Sequence, residues 1–414
     1  MNRKIQIAII FLLIMVTMKF FDAQFINATF VNYSLYLSII GTVFISLPYI
    51  FPNGRGFVFP IQLLLVAVVL SIFMASIFWG QAIVHGMIAT AQYLVVMFFF
   101  YLLRIKFPIE TLEKIIVAYG IIYILLYFFQ LANAPTVLFG RSTWGDEFTE
   151  TRGIVRIIFP GGGVFVLTSF IAINKLSSKS KYHWFWLLLS LFGLIIPVLQ
   201  VTRQFIAGIA LIYLYHAIRN FSLTKKVFVF MAGIVIGFVV YNSSIPVIEG
   251  LIEASQNDVS EGADYIRILA GEYFLFDFSP DPVTSFFGNG VPYTGTSNYG
   301  IYMDMLEVER EFFLSDVGII TVYAMFGAPA IIAFIIIWIM SFVISVPKEY
   351  YYLKYYLWFL LMTSLTWYTT YHNHYLLITT LVLYIYQMVG YTPRSGFLQK
   401  RKLDDILDED TQLK

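Results

Sequence analysis

The side chains best suited to chemistry in this chain are a set of guanidinium groups and a few carboxylates and histidines. Arg141, Arg152, Arg156, Arg203, Arg267 and Arg310, together with Lys19, fall between or at the ends of long apolar runs. A guanidinium presents a planar fork that grips phosphate or carboxylate through two hydrogen bonds and does not lose its proton. Interfacial anchoring and pairing with local carboxylates would use the same residues. Glu307, Glu309, Glu311 and Asp316 crowd around Arg310. Asp316 lies closest to an apolar run, where an ionisable group is costly and therefore suspected of function. His372-Asn373-His374 places two imidazoles at i and i+2, a spacing open to a polar turn, proton transfer, a sugar contact or a metal. No carboxylate or third histidine is fixed beside them in sequence. There is no P-loop, glycine-rich dinucleotide turn or His-Glu-x-x-His pattern. With no cysteine, thiol nucleophiles, disulfides and thiolate metal sites are excluded.

The elements that position these groups are apolar helices. Of 414 residues, 59% are hydrophobic and only 12% charged, against roughly 45–50% and about 25% in soluble domains. That excludes a soluble enzyme, a nucleic-acid binder and a secreted disulfide scaffold. Long apolar runs predict an all-α, polytopic helical membrane protein with about twelve spans, near 5–21, 33–51, 57–78, 84–103, 115–133, 154–173, 184–200, 205–218, 227–245, 315–343, 355–371 and 375–391. Phe21-Asp22-Ala23 is a poor cleavage site, so the first run reads as a retained helix. The expected organisation is one integral membrane domain over 1–391 and a solvated cytoplasmic tail over 392–414.

Basic residues favour cytoplasmic loops. With the N-terminus inside, 19 of the 26 lysines and arginines fall on the inner side and 17 of the 25 acidic residues on the outer. Both termini are then cytoplasmic. Inside, lysine outnumbers arginine 13 to 6, whereas six of the seven outer basic residues are arginine. This bias points to a phosphate-handling outer face.

The large hydrophilic segment, about 246–314, is too long for a plain connection. It is expected to hold helices near 262–276 and 302–314, separated by a Pro/Gly/Asn-rich stretch. Pro160-Gly161-Gly162-Gly163 is expected inside the sixth span, as a backbone opening or as tight small-residue packing.

Val201-Thr202-Arg203-Gln204 at the seventh/eighth hairpin, Arg267 on a helix of the large loop, Phe287-Gly288-Asn289-Gly290, and Asp316-Val317-Gly318 before a long span occur in that order on one face. In these features the chain resembles the Wzy-type O-antigen and capsular polysaccharide polymerases and the related O-antigen ligases. The motifs cover roughly residues 190–330 and the topology covers the whole chain. Arg152 and Gly163 also fit an Arg-x10-Gly spacing found in some of these polymerases. The ligases usually carry a histidine nine residues before the carboxylate that opens the tenth span. Here that position is Glu307, and the 246–314 segment has no histidine.

The resemblance implies a glycosyltransferase in the bacterial cytoplasmic (inner) membrane, joining undecaprenyl-diphosphate-linked oligosaccharide units on the outer face. Its implied partners are that lipid-linked oligosaccharide, membrane lipid and a chain-length regulator, with no nucleic acid. It would need no cofactor or metal, because Arg152, Arg156, Arg203 and Arg267 would stabilise the diphosphate leaving group. Glu307, Asp316 and His374 are the candidate bases for the acceptor hydroxyl. The ligase is the alternative within the same chemistry, and a lipid-linked oligosaccharide flippase is the alternative of another class. Transporters tend to carry charge within their spans and to show two similar halves. Here the spans are nearly free of charge, the hydrophilic mass is one outer loop, and no repeat relates the two halves.

Overall fold

The 22 residues Val58–Trp79 carry no charged side chain. A segment of that length and composition satisfies its backbone within itself as a helix. The computed structural model describes residues 2–391 apart from 53–54, 143–144, 149, 152–153, 179–181, 220, 229–230, 232, 234–248, 251, 254, 257–259, 261 and 263–264. Five helical stretches in it are long and apolar enough to cross a membrane: Ala28–Tyr49, Val58–Trp79, Ile83–Ile105, Ile109–Ala132 and Ile319–Val343.

In chain order the elements are α1 (Arg3–Thr17), α2 (Ala28–Ser46), α3 (Val58–Trp79) and α4 (Ile83–Thr90). A 3-10 stretch, Ala91–Met97, joins α4 to α5 (Phe98–Ile105), and α6 (Ile109–Ala132) follows. A minimal antiparallel hairpin, β1 (Glu150–Thr151) with β2 (Ile154–Val155), precedes α7 (Gly162–Leu176), α8 (His183–Leu199) and α9 (Arg203–Ile218). Three short helices, α10 (Ile266–Phe276), α11 (Pro282–Phe287) and α12 (Asn298–Arg310), lead to α13 (Ile319–Val343), α14 (Tyr351–Thr363) and α15 (Asn373–Tyr391).

Two helices make the core. Every residue of α7 from Gly163 to Asn174 is buried, where it packs against α6, α8, α14 and α15. The less apolar α15 is as deeply enclosed, because its tyrosine hydroxyls find backbone partners: Tyr384 donates to the Phe107 carbonyl at 2.5 Å and Tyr386 to the Ser341 and Ile344 carbonyls at 3.1 and 3.0 Å. The outside of the bundle is apolar. Tyr33, Leu37, Ile40 and Phe44 form an exposed stripe along α2, and Ile332, Ile335, Ile339 and Phe342 form one along α13. Stripes of this kind are costly in water and ordinary against hydrocarbon.

Several sequence expectations shift. Pro160-Gly161-Gly162-Gly163 does not interrupt a span: residues 154–159 are extended, Ile158 bridges to Arg141, and α7 starts only at Gly162. Proline lacks the donor a helix interior needs, and Gly161 turns the chain at φ 108°. The large-loop helices begin at Ile266 and Asn298; the second is set by Ser297, whose hydroxyl accepts from the Gly300 N–H at 2.9 Å. Helix α14 ends at Thr363, ahead of the expected 371. Most of the ninth span, 234–245, and the tail 392–414 lie outside the described residues.

The large loop also reaches into the bundle. Helix α13 breaks at Gly327 (φ 72°), next to Pro329. The carbonyls of Ala324 and Met325 beside the break accept from the Asn289 and Gly290 N–H groups, both at 2.8 Å.

Candidate functional site

Three helices begin at one cleft. Gly162 opens α7, Thr202 caps α9, and His374 and Tyr375 stand in the first turn of α15; all four line one cleft with Gln200 and Tyr368. A helix start carries about half a positive charge; at α15 the first N–H groups are engaged by His372, whose Nδ1 accepts from the His374 N–H at 3.5 Å and whose carbonyl accepts from the Tyr375 N–H at 2.9 Å. The cleft therefore has the polarity of an anion site before any side-chain charge is added.

The local sequence explains how these ends meet. Gly163 lies against the backbone of α15: a Cβ there would come within 2.5 Å of the His374 carbonyl oxygen. Only glycine permits that approach. Gln200 donates to the Tyr123 hydroxyl at 2.8 Å, anchoring the end of α8 to α6. Val201 then takes φ 54°, a left-handed conformation that is a genuine outlier for a β-branched residue. That reversal points α9 back into the bundle with Arg203 as its first residue.

Arg156 and Arg203 are near the cleft but do not line it. Arg156 lies within electrostatic reach of the Tyr368 hydroxyl. Arg203 follows the lining residue Thr202 directly and donates to the Ser255 hydroxyl at 2.9 Å. Arg267 on α10 pairs with Asp316 at 3.4 Å. That pair sits beside the hairpin carrying Tyr368, because Tyr371 donates to the carbonyl of Leu314, two residues before Asp316, at 3.3 Å. Arg152 lies outside the described residues.

The three candidate bases fall in different settings. His374 is half-buried on the cleft wall, with its ring edge-on to His372 at 4.1 Å. Burial, with the positive charges of Lys19 and Arg141 behind it, pushes the His372 imidazole down to about 3, so it is neutral near pH 7. Asp316 is engaged by Arg267 and by the Ser315 hydroxyl at 3.3 Å. Glu307 lies on α12, where burial and the neighbouring Asp304 push its carboxyl above the usual range. No group of three His, Asp or Glu residues among the described residues could hold a metal ion, so His372 and His374 lack further ligands.

Sequence reasoning missed two features. One is the turn Lys19–Asp22, in which four successive non-glycine residues take φ between 49° and 60°, a conformation costing about 1–2 kcal/mol per residue. It is held by Asp22, whose two carboxylate oxygens accept from Arg141 Nε and Nη2, both at 3.2 Å. Burial raises the Asp22 carboxyl while Arg141 and Lys19 draw it down. The other is a polar cluster away from the cleft, where His216 lies between the Ser177 hydroxyl at 2.5 Å and the Tyr355 hydroxyl at 2.9 Å. Nearby, Lys175 pairs with Glu113 at 3.2 Å. The separation of Arg141 from Asp22 by 119 positions gives no local signal for the first. No known family model, curated protein or solved structure matches the chain, so its chemistry is read from this arrangement alone.

Proposed function

We propose that this chain is a membrane glycosyltransferase, a polymerase that joins undecaprenyl-diphosphate-linked oligosaccharide repeat units at the outer face of a bacterial cytoplasmic membrane. The product is an O-antigen, a capsule or a similar surface polysaccharide. The proposal includes about twelve spans, both termini in the cytoplasm, and the large loop and the cleft on the outer side. One observation carries it: three helix N-termini meet at a single cleft in an apolar helical bundle, with Arg156 in electrostatic reach of the lining residue Tyr368 and Arg203 next in sequence to the lining residue Thr202.

The acceptor hydroxyl oxygen attacks the anomeric carbon of the donor sugar as the bond from that carbon to the diphosphate oxygen breaks. The electron pair departs on the diphosphate, which gains negative charge in the transition state. Prepositioned guanidinium groups and helix N-termini stabilise that charge without reorganising. The hydroxyl proton passes to His374, the one candidate base lining the cleft. Arg267, oriented by Asp316, joins the other arginines in stabilising the diphosphate charge. The aromatic walls, Tyr123, Phe159, Phe205 and Trp367, suit the sugar rings and the first units of the polyprenyl chain.

The test is a profile of envelope glycans and lipid-linked intermediates after deletion of the gene. Surface glycan one repeat long, or single units waiting on lipid at the outer face, is the expected result. Long polymer accumulating on the lipid carrier would make the chain a ligase instead. Single units trapped on the cytoplasmic face would make it a flippase.

A further inference from the structure

The mechanism above leaves one cation beside the cleft unused. The turn Lys19–Asp22 is fixed to the cleft wall: Phe21 is buried, its ring meets Phe159 edge-on at 6.2 Å, and its carbonyl accepts from the Gly140 N–H at 3.0 Å. Gly161, the residue before α7, lies against Met18 and Phe21. Gln24 closes the turn by donating to the Gly140 carbonyl at 2.8 Å. The backbone of the left-handed turn thus has a fixed seat beside Phe159 and Gly161.

Asp22 is the acid nearest in sequence that could neutralise Lys19, and Arg141 occupies both of its oxygens. Among the described residues, the half-buried Lys19 ammonium has no ion pair or hydrogen bond. Its charge falls on His372 and on the cleft residue His374. A cation held with its neutralising acid already taken is compensated when an anion binds next to it.

We propose that Lys19, with the neighbouring His372, forms a second oxyanion subsite on the flank of the cleft that receives a phosphate group of the substrate. This rests on the diphosphate reading of the cleft given above. The subsite adds a compact point charge with three free donors, where Arg156 and Arg203 offer planar forks. A diphosphate carries two phosphates, and the two kinds of cation divide the contact.

The test uses the full-length protein in nanodiscs of phosphatidylcholine, titrated with inorganic diphosphate while the tryptophan emission, to which the cleft residue Trp367 contributes, is followed. Wild type binds. Lys19→Met weakens binding by about tenfold or more, as expected for losing a charged hydrogen bond, and Lys19→Arg restores most of it. Thermal melting of both variants checks the fold. Equal affinity of wild type and Lys19→Met, with loss in Arg203→Met, overturns the subsite and leaves the cleft reading standing. No binding to wild type overturns both. Repeating the titration with phosphatidylglycerol in the disc separates the sources. If Lys19→Met matters only there, through competition by lipid, Lys19 serves a headgroup and the subsite is overturned.

Discussion

Asp316 Oδ2 stands 3.4 Å from the Arg267 guanidinium, tying the turn that precedes α13 to α10 of the large loop. Both side chains are about a third or more exposed, at 33% and 40%, and pairs of that exposure contribute at most about 1 kcal/mol to stability. The contact therefore matters for orientation more than for folding. Arg267→Lys and Arg203→Lys should each lower polymer output by about a hundredfold or more, the scale of losing one transition-state donor, with membrane levels unchanged. Glycan ladders from complemented deletion strains measure this. Near-wild-type polymer from both variants would sink the diphosphate assignment.

The base can be separated from the orienting acid. His374→Gln removes the one proton acceptor among the candidates that lines the cleft and should cost about 10²- to 10⁴-fold in turnover. Asp316→Asn keeps a hydrogen bond to Arg267 while removing the charge, and should cost about tenfold or less. An assay with purified lipid-linked repeat units ranks the two. If Asp316→Asn proves the more damaging, the proton goes to Asp316, and Arg267 is the partner of a base.

Glu307 gives a prediction whose sign depends on pH. Its carboxyl is raised in the fold by burial and by Asp304. A raised folded-state pKa favours the protonated form, so that contribution to stability is present below the unfolded value and is lost as pH rises through the folded one. Near pH 7 the ionised Glu307 is thus a mild burden. Glu307→Gln should melt higher than wild type at pH 7, the advantage should vanish below about pH 4, and polymer output should not change. A lower melting temperature at pH 7 would contradict the burden assigned to its buried charge, and lost polymer would return Glu307 to the candidate bases.

Much of the helical frame was legible in the sequence, because a run such as Val58–Trp79 has no alternative to a helix once water is excluded. The motif Val201-Thr202-Arg203-Gln204 also marked a real feature, the strained start of α9 at the cleft. What could not be read was long-range. Hydropathy extended the sixth span back to 154, since Ile154, Val155, Ile157 and Ile158 are as apolar in an extended segment as in a helix. That Arg141 takes up both oxygens of Asp22, the acid nearest Lys19 in sequence, depends on a contact across 119 positions. The choice among Glu307, Asp316 and His374 required knowing which of them faces the place where α7, α9 and α15 begin.

Asn289 pins the large loop at the break in α13. Fully buried, its amide donates to the Ala324 carbonyl at 3.1 Å and to the Ser279 hydroxyl at 2.9 Å, while its oxygen accepts from Trp79 Nε1 at 3.0 Å. Asn289→Ala leaves the Trp79 N–H without a partner in a dry setting, a loss of about 2–4 kcal/mol. Asn289→Asp keeps the bond from Trp79 but turns a second oxygen toward the Ala324 carbonyl and buries a charge with no counter-ion. It should therefore melt below Asn289→Ala, although it is the closer match in shape. Thermal unfolding in detergent ranks wild type above Asn289→Ala above Asn289→Asp. An aspartate variant as stable as wild type would mean that the amide nitrogen makes no such contacts and that the loop does not enter the bundle at Gly327.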